Sequence, residues 1–241
     1  MIIGDSSGQS FPSALQVEES PVHSDTRRRI LAVTAATAVC AAALVTSAPA
    51  SAAPRCSDIE VIFARGTDEP EGIGRVGQSL VDTLRPMVGK KSVGTYAVNY
   101  PASYDFLQAA AGATDASRRI QDTAAKCPKT KIVLGGYSQG AAVMDVVATS
   151  PIAGLGYNAP LPAAIVPRIA AIVVFGNPSA RLGQPLTRMS PDFGGRTADL
   201  CNTADPICST GQDFNAHVHY PESGLVKVAA KWVASHVQQR D

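Results

Sequence analysis

The chain has 241 residues, of which 45% are hydrophobic and 17% charged, with a formal net charge of +1 at neutral pH. So even a balance excludes partners held mainly by charge, such as nucleic acid or an acidic polymer. The length suits one large domain or two small ones.

The first fifty residues read as an address. Arg27, Arg28 and Arg29 precede sixteen mostly apolar residues, Ile30 to Val45, and a small-residue stretch runs to Ala52 and Ala53. That order is the one found in secretory signals, with cleavage expected after Ala52. The apolar run is shorter than the roughly 20 residues needed to span a bilayer. Thr26-Arg-Arg-Arg-Ile-Leu31, behind a polar leader, also suggests twin-arginine export. The expected organisation is a leader and signal over residues 1–52 and a single domain over 53–241, secreted, monomeric and without a stable membrane span. Removing 1–52 takes away four acidic residues and three arginines, which leaves 18 basic and 16 acidic.

Cysteine usage agrees with export. Cys40 lies in the signal, and Cys56, Cys127, Cys201 and Cys208 remain. An even number in an exported chain implies two disulfides, for which three pairings exist. Closeness in sequence favours Cys201 with Cys208, leaving Cys56 with Cys127. With no C-x-x-C pair, a zinc site is not expected, and no metal or other cofactor is called for.

In chain order, 59–64 reads as a first strand and 65–68 as a turn. A helix follows over 76–86, bounded by glycine and proline. Residues 93–98 form a second strand, broken by Asn99-Tyr100-Pro101. An Ala-rich helix is expected over 104–126 and a third strand over 132–135. A helix to about residue 150 and a Gly/Pro-rich loop over 151–167 come next. Residues 169–175 read as a fourth strand, 197–201 as a shorter fifth, and 223–238 as an amphipathic helix. Strands separated by helices imply right-handed crossovers and a parallel sheet covered on both faces, with a site beyond the carboxyl ends of its strands.

The stretch Gly136-Tyr-Ser-Gln-Gly140 lies between the third strand and the next helix. A G-x-S-x-G sequence in that setting places a serine on a sharp turn above the sheet, so Ser138 is the candidate nucleophile. Its hydroxyl needs a base. Three histidines remain outside the leader: His236 sits in the last helix, whereas His217 and His219 follow the last strand. The carboxylate is expected between serine and histidine in sequence, where Asp192, Asp199, Asp205 and Asp213 are candidates. Asp205 lies between Cys201 and Cys208, in a loop stapled at both ends, which suits a residue that orients an imidazole. Asp199 reads as a structural residue at a strand end. The backbone N–H of Gln139 and the turn at Gly66-Thr67 are candidate oxyanion donors.

Taken together, Phe63-Ala-Arg-Gly-Thr67, Gly135-Gly-Tyr-Ser-Gln-Gly140, Phe175-Gly-Asn-Pro178, Cys201-Asn-Thr-Ala-Asp-Pro-Ile-Cys208 and His217-x-x-Tyr220 resemble the cutinase family of serine esterases, in particular its secreted bacterial branch. The resemblance runs from about Cys56 to the last helix. It implies a three-layer α/β-hydrolase without a lid domain, built on a central five-stranded parallel sheet with helices on both faces. It implies the disulfide pairing favoured above, a Ser138–His217–Asp205 triad, and Thr67 and Gln139 as oxyanion residues. The tyrosine three residues on selects His217 over His219. The expected activity is hydrolysis of carboxylic esters through an acyl-enzyme, on a small acyl ester, lipid or polyester. Acetylxylan-type, phospholipase and thioesterase action are alternatives within that chemistry, and a non-catalytic secreted binding protein is one outside it. Fungal members carry an apolar patch before the histidine. Gln212-Asp-Phe-Asn215 is polar there apart from Phe214, which moves the expectation from cutin toward soluble or shorter esters.

Overall fold

A computed structural model describes residues 56–239; the leader and signal expected over 1–52 lie outside them. Five strands alternate with helices. They are β1 (Ile59–Ala64), β2 (Val93–Ala97), β3 (Lys131–Tyr137), β4 (Ile169–Phe175) and β5 (Thr197–Leu200). All pairings are parallel, in the order β2-β1-β3-β4-β5. The longer helices are α1 (Gly74–Leu84), α2 (Ala109–Lys126), α3 (Gln139–Thr149) and α7 (Leu225–Gln238). Three short ones, α4 (Pro178–Arg181), α5 (Leu186–Met189) and α6 (Phe214–Val218), lie between β4 and α7.

The three layers follow from the two-residue period of the strands. Ile62, Leu134, Ile172 and Val174 face a core completed by Ala113, Ala116 and Ile120 of α2 and Val143, Met144 and Val147 of α3. Their alternates Val61, Phe63, Val133 and Val173 face Val76 and Leu80 of α1 and Ala229, Ala230 and Val233 of α7. The central strands β1 and β4 are buried throughout, which is why they read as unbroken apolar runs. The described residues contain no separate lid domain.

Where elements differ from expectation, local hydrogen bonding explains it. The Ala-rich helix starts at Ala109 rather than 104, because the Asp105 side chain accepts from Leu107 N and caps a separate 3₁₀ turn at Phe106–Gln108. The short helices α4 and α6 were not expected, and each has a side-chain cap. Asn177 accepts from Ser179 N, with Pro178 following it, and Asp213 accepts from Asn215 N. His217 therefore sits on a helix, not in a loop. β3 runs on through both glycines to Tyr137, and β5 stops one residue short of Cys201. The disulfides pair Cys56 with Cys127 and Cys201 with Cys208. Among the described residues no helix is long and apolar enough to cross a membrane.

Candidate active site

Ser138 links β3 to α3 with φ 55° and ψ −118°, a backbone conformation costly for a side chain bearing a Cβ. The surroundings enforce it. Ser138 N donates to Phe175 O at 2.9 Å, and Ser138 O accepts from Ala141 N at 2.9 Å. The flanking glycines allow so sharp a turn: a methyl group on Gly136 would meet Gly140 O at 2.1 Å, and one on Gly140 would meet Ala64 O at 2.0 Å. The motif's small residues are thus required where α3 crosses the end of β1.

Ser138 Oγ lies 2.9 Å from His217 Nε2, and His217 Nδ1 lies 2.8 Å from Asp205 Oδ2. Three segments distant in sequence meet here, and each is held separately. Asp205 is wholly buried. Its Oδ1 accepts from Ile207 N at 2.7 Å, its own N–H donates to Asn202 O, and its carbonyl accepts from Ser209. His217 is buried on α6, and its carbonyl accepts from the Tyr137 hydroxyl at 2.8 Å. Tyr137 is the variable residue before the serine, so the serine's own turn fastens the histidine's helix. Gly176, at φ +59°, backs the pair so closely that a methyl group would come within 2.9 Å of His217 Cε1 and 3.1 Å of Asp205 Oδ2. Such an array can pass a proton from a hydroxyl to an imidazole while a carboxylate holds the ring's other nitrogen.

The other candidates go elsewhere. His219 is bonded through Nδ1 to Asn215 O on the outer side of α6, and His236 to Trp232 O. Asp213 caps α6, and Asp199 accepts from Leu186 N and Asn177 Nδ2. Thr67 and Gln139 sit together beside Ser138, with Thr67 Oγ1 donating to Gln139 Oε1 at 3.3 Å. The turn carrying Thr67 is braced by buried Arg65, which donates to Glu69 O and Tyr100 O. Glu69 in turn accepts from Gly66 N.

Sequence reasoning missed two supports. Tyr220, used only as a spacing mark, is wholly buried and donates to Asp205 Oδ2 at 2.7 Å while accepting from Asn202 N. Burial and the neighbouring carboxylate push its phenol well above the usual range, so it stays a donor. Behind the site, Asn177 is wholly buried and bridges two carboxylates, Asp145 on α3 and Asp199 on β5. Burial pushes Asp145 up to about 7, against the hydrogen bonds from Ser179 and Asn177.

Ser138 and His217 open into a cleft of about 810 Å³. Ile207, Phe214 and Val218 line it on the histidine side, and Tyr104, Phe106 and Ala109 line it opposite. Of the run at 212–215 only Phe214 lines the cleft, so its polar members do not set the character of the walls.

The cutinase family model matches residues 55–237. The phospholipase Culp4 of Mycobacterium tuberculosis is 52% identical over 213 residues, covering 87% of this chain and 92% of its own. The carboxylesterase Culp1 of the same organism is 41% identical over 216 residues, covering 87% and 95%. A cutinase from Trichoderma reesei, solved with a phosphonate inhibitor, superposes with a TM-score of 0.62 at 34% identity, over 76% of this chain and 77% of its own. Sequence and fold agree: this chain belongs to the cutinase family.

Proposed function

We propose that the protein hydrolyses carboxylic esters through an acyl-enzyme formed on Ser138. The observation that most supports this is the unbroken hydrogen-bonded line from Ser138 Oγ through His217 to buried Asp205 at the base of an apolar cleft. His217 Nε2 takes the Ser138 proton as Oγ attacks the ester carbonyl carbon. The carbonyl oxygen becomes an oxyanion facing the N-terminus of α3, where the Gln139 N–H and the Thr67 turn supply donors. His217 then delivers the proton to the alcohol oxygen as the carbon–oxygen bond breaks. Water repeats the sequence, its proton passing to His217 and back to Ser138 as the acid leaves. Asp205 keeps the imidazole in the tautomer with its proton on Nδ1 and stabilises the transient imidazolium.

The relatives' activities, phospholipid and carboxylic ester hydrolysis by name, support an ester of lipid character. The apolar cleft favours it over an acetyl group on a polysaccharide. The two disulfides support a working place outside the reducing cytosol, reached through a signal at 1–52. A fluorophosphonate probe tests the reading directly. It should label wild-type protein on Ser138, and an unlabelled but folded protein would end the proposal.

A further inference from the structure

A second groove, of about 460 Å³, adjoins the cleft at Ser138 and shares Phe106 and Ala109 with it. Helix α3 forms the floor of both. Gln139 and Ala142 line the cleft, and Val146 and Thr149 line the groove. These positions recur at the spacing of one helix face. Ala142, Val146 and Thr149 are also the half-exposed positions of α3, the others being buried. A helix stripe open to solvent ordinarily carries charge; this one carries none.

The outer wall of the groove is apolar and firmly built. Ile152 and Leu155 face Leu107 across it, each at least three-quarters exposed. Leu155 and Gly156 occupy the left-handed region, at φ 47° and 88°, in a two-residue turn closed by paired hydrogen bonds between Gly154 and Tyr157. Leucine adopts that conformation at a cost. The base of the turn is pinned where buried Tyr157 meets Ser117 of α2 at 2.8 Å.

We infer that cleft and groove form one trough along α3 that holds the acyl chain of a long-chain ester, an inference that rests on the esterase reading above. Direction follows from the chemistry. His217 protonates the alcohol oxygen, so the alcohol lies on the histidine side among Ile207, Phe214 and Val218. The acyl group lies on the other side, toward Ala142. From Gln139 to Thr149 the helix rises about 15 Å, the reach of a long acyl chain rather than of an acetyl or butyryl group. Phe106 and Ala109 form the saddle between the two halves. The polarity of residues 212–215 bears on the alcohol side and leaves the acyl side unaffected.

The test compares p-nitrophenyl butyrate with p-nitrophenyl laurate, both as dissolved monomers, on wild-type protein and on Leu107→Asp and Ile152→Asp, which alter exposed side chains remote from Ser138. Each methylene removed from water contributes about fourfold, so laurate kcat/KM should fall about tenfold or more in each variant while butyrate stays within about twofold. Equal loss on both esters, or no loss on either, overturns the trough while leaving the esterase reading in place. So does a loss seen only when laurate is presented as aggregates, which would mark these residues as a lipid-surface contact. A wild-type protein inactive on butyrate overturns the esterase reading instead.

Discussion

The phenol of Tyr220 and the imidazole of His217 share one acceptor, Asp205 Oδ2, at 2.7 and 2.8 Å. The carboxylate that holds the imidazole is therefore itself held, and part of its charge is already engaged by a neutral donor. Tyr220→Phe removes that donor and leaves the edge-on ring contacts with Phe175 and Tyr137. A hydrogen bond to a charged group contributes about 1.5–3 kcal/mol. The expected result is a fall of about tenfold in kcat with little change in KM. An unchanged kcat, or a rise in KM in place of the fall in kcat, would reduce Tyr220 to a packing residue.

Ser138→Ala should lower hydrolysis of p-nitrophenyl butyrate by about 10³-fold or more, since the remaining groups have no nucleophile to activate. His217→Ala should do the same, whereas His219→Ala, whose ring is turned to Asn215 O on the outer side of α6, should stay within about twofold. Purified variants and a steady-state assay suffice, and activity that survives in His217→Ala but dies in His219→Ala would reverse the choice of base.

The buried pair behind the site gives a pH dependence of stability. Asp145 sits at about 7 in the folded protein because burial disfavours its charge, and near 3.9 when unfolded. Between those values the folded state binds the extra proton. The stability linked to this group is therefore fully present below about pH 4 and is lost as pH rises through about 7. Urea midpoints should fall from about pH 5 to pH 8, by no more than about 1.4 kcal/mol per pH unit from this group. Asp145→Asn should flatten that slope. Parallel slopes in the two proteins would show that Asp145 does not carry it.

The sheet and the serine turn were legible because their signals are local. Buried parallel strands read as apolar β-branched runs, and the turn at Ser138 demands glycine at two fixed positions. The candidate base was legible only as a pair. His217 and His219 lie two residues apart, and only the formation of α6 turns one toward Ser138 and the other outward. That helix has five residues and exists through the Asp213 cap and the Tyr137 hydroxyl, the latter contributed from 80 residues away. Such a contact leaves no periodicity to read. The walls of the cleft were not legible for the same reason: beside Phe214 they come from segments around Phe106 and Leu182 that are remote in sequence.

The two halves of the site differ in how they are secured. Ser138 and the turn at Thr67 hang from strands inside the sheet's ladder, whereas residues 201–224 belong to no strand. One cystine and the Tyr220 hydroxyl brace that strap internally. The Tyr137 hydroxyl, the His217–Ser138 bond, the Arg75–Glu222 ion pair and Arg181, donating to Pro206 O and Ser209 O, tie it to the rest of the molecule. It is consequently held by side chains and short turns, with no share in the ladder of backbone hydrogen bonds that secures the sheet. On the proposed reading the serine and its base therefore rest on two different kinds of support, and a change confined to residues 201–224 would part Ser138 from His217 without touching a strand.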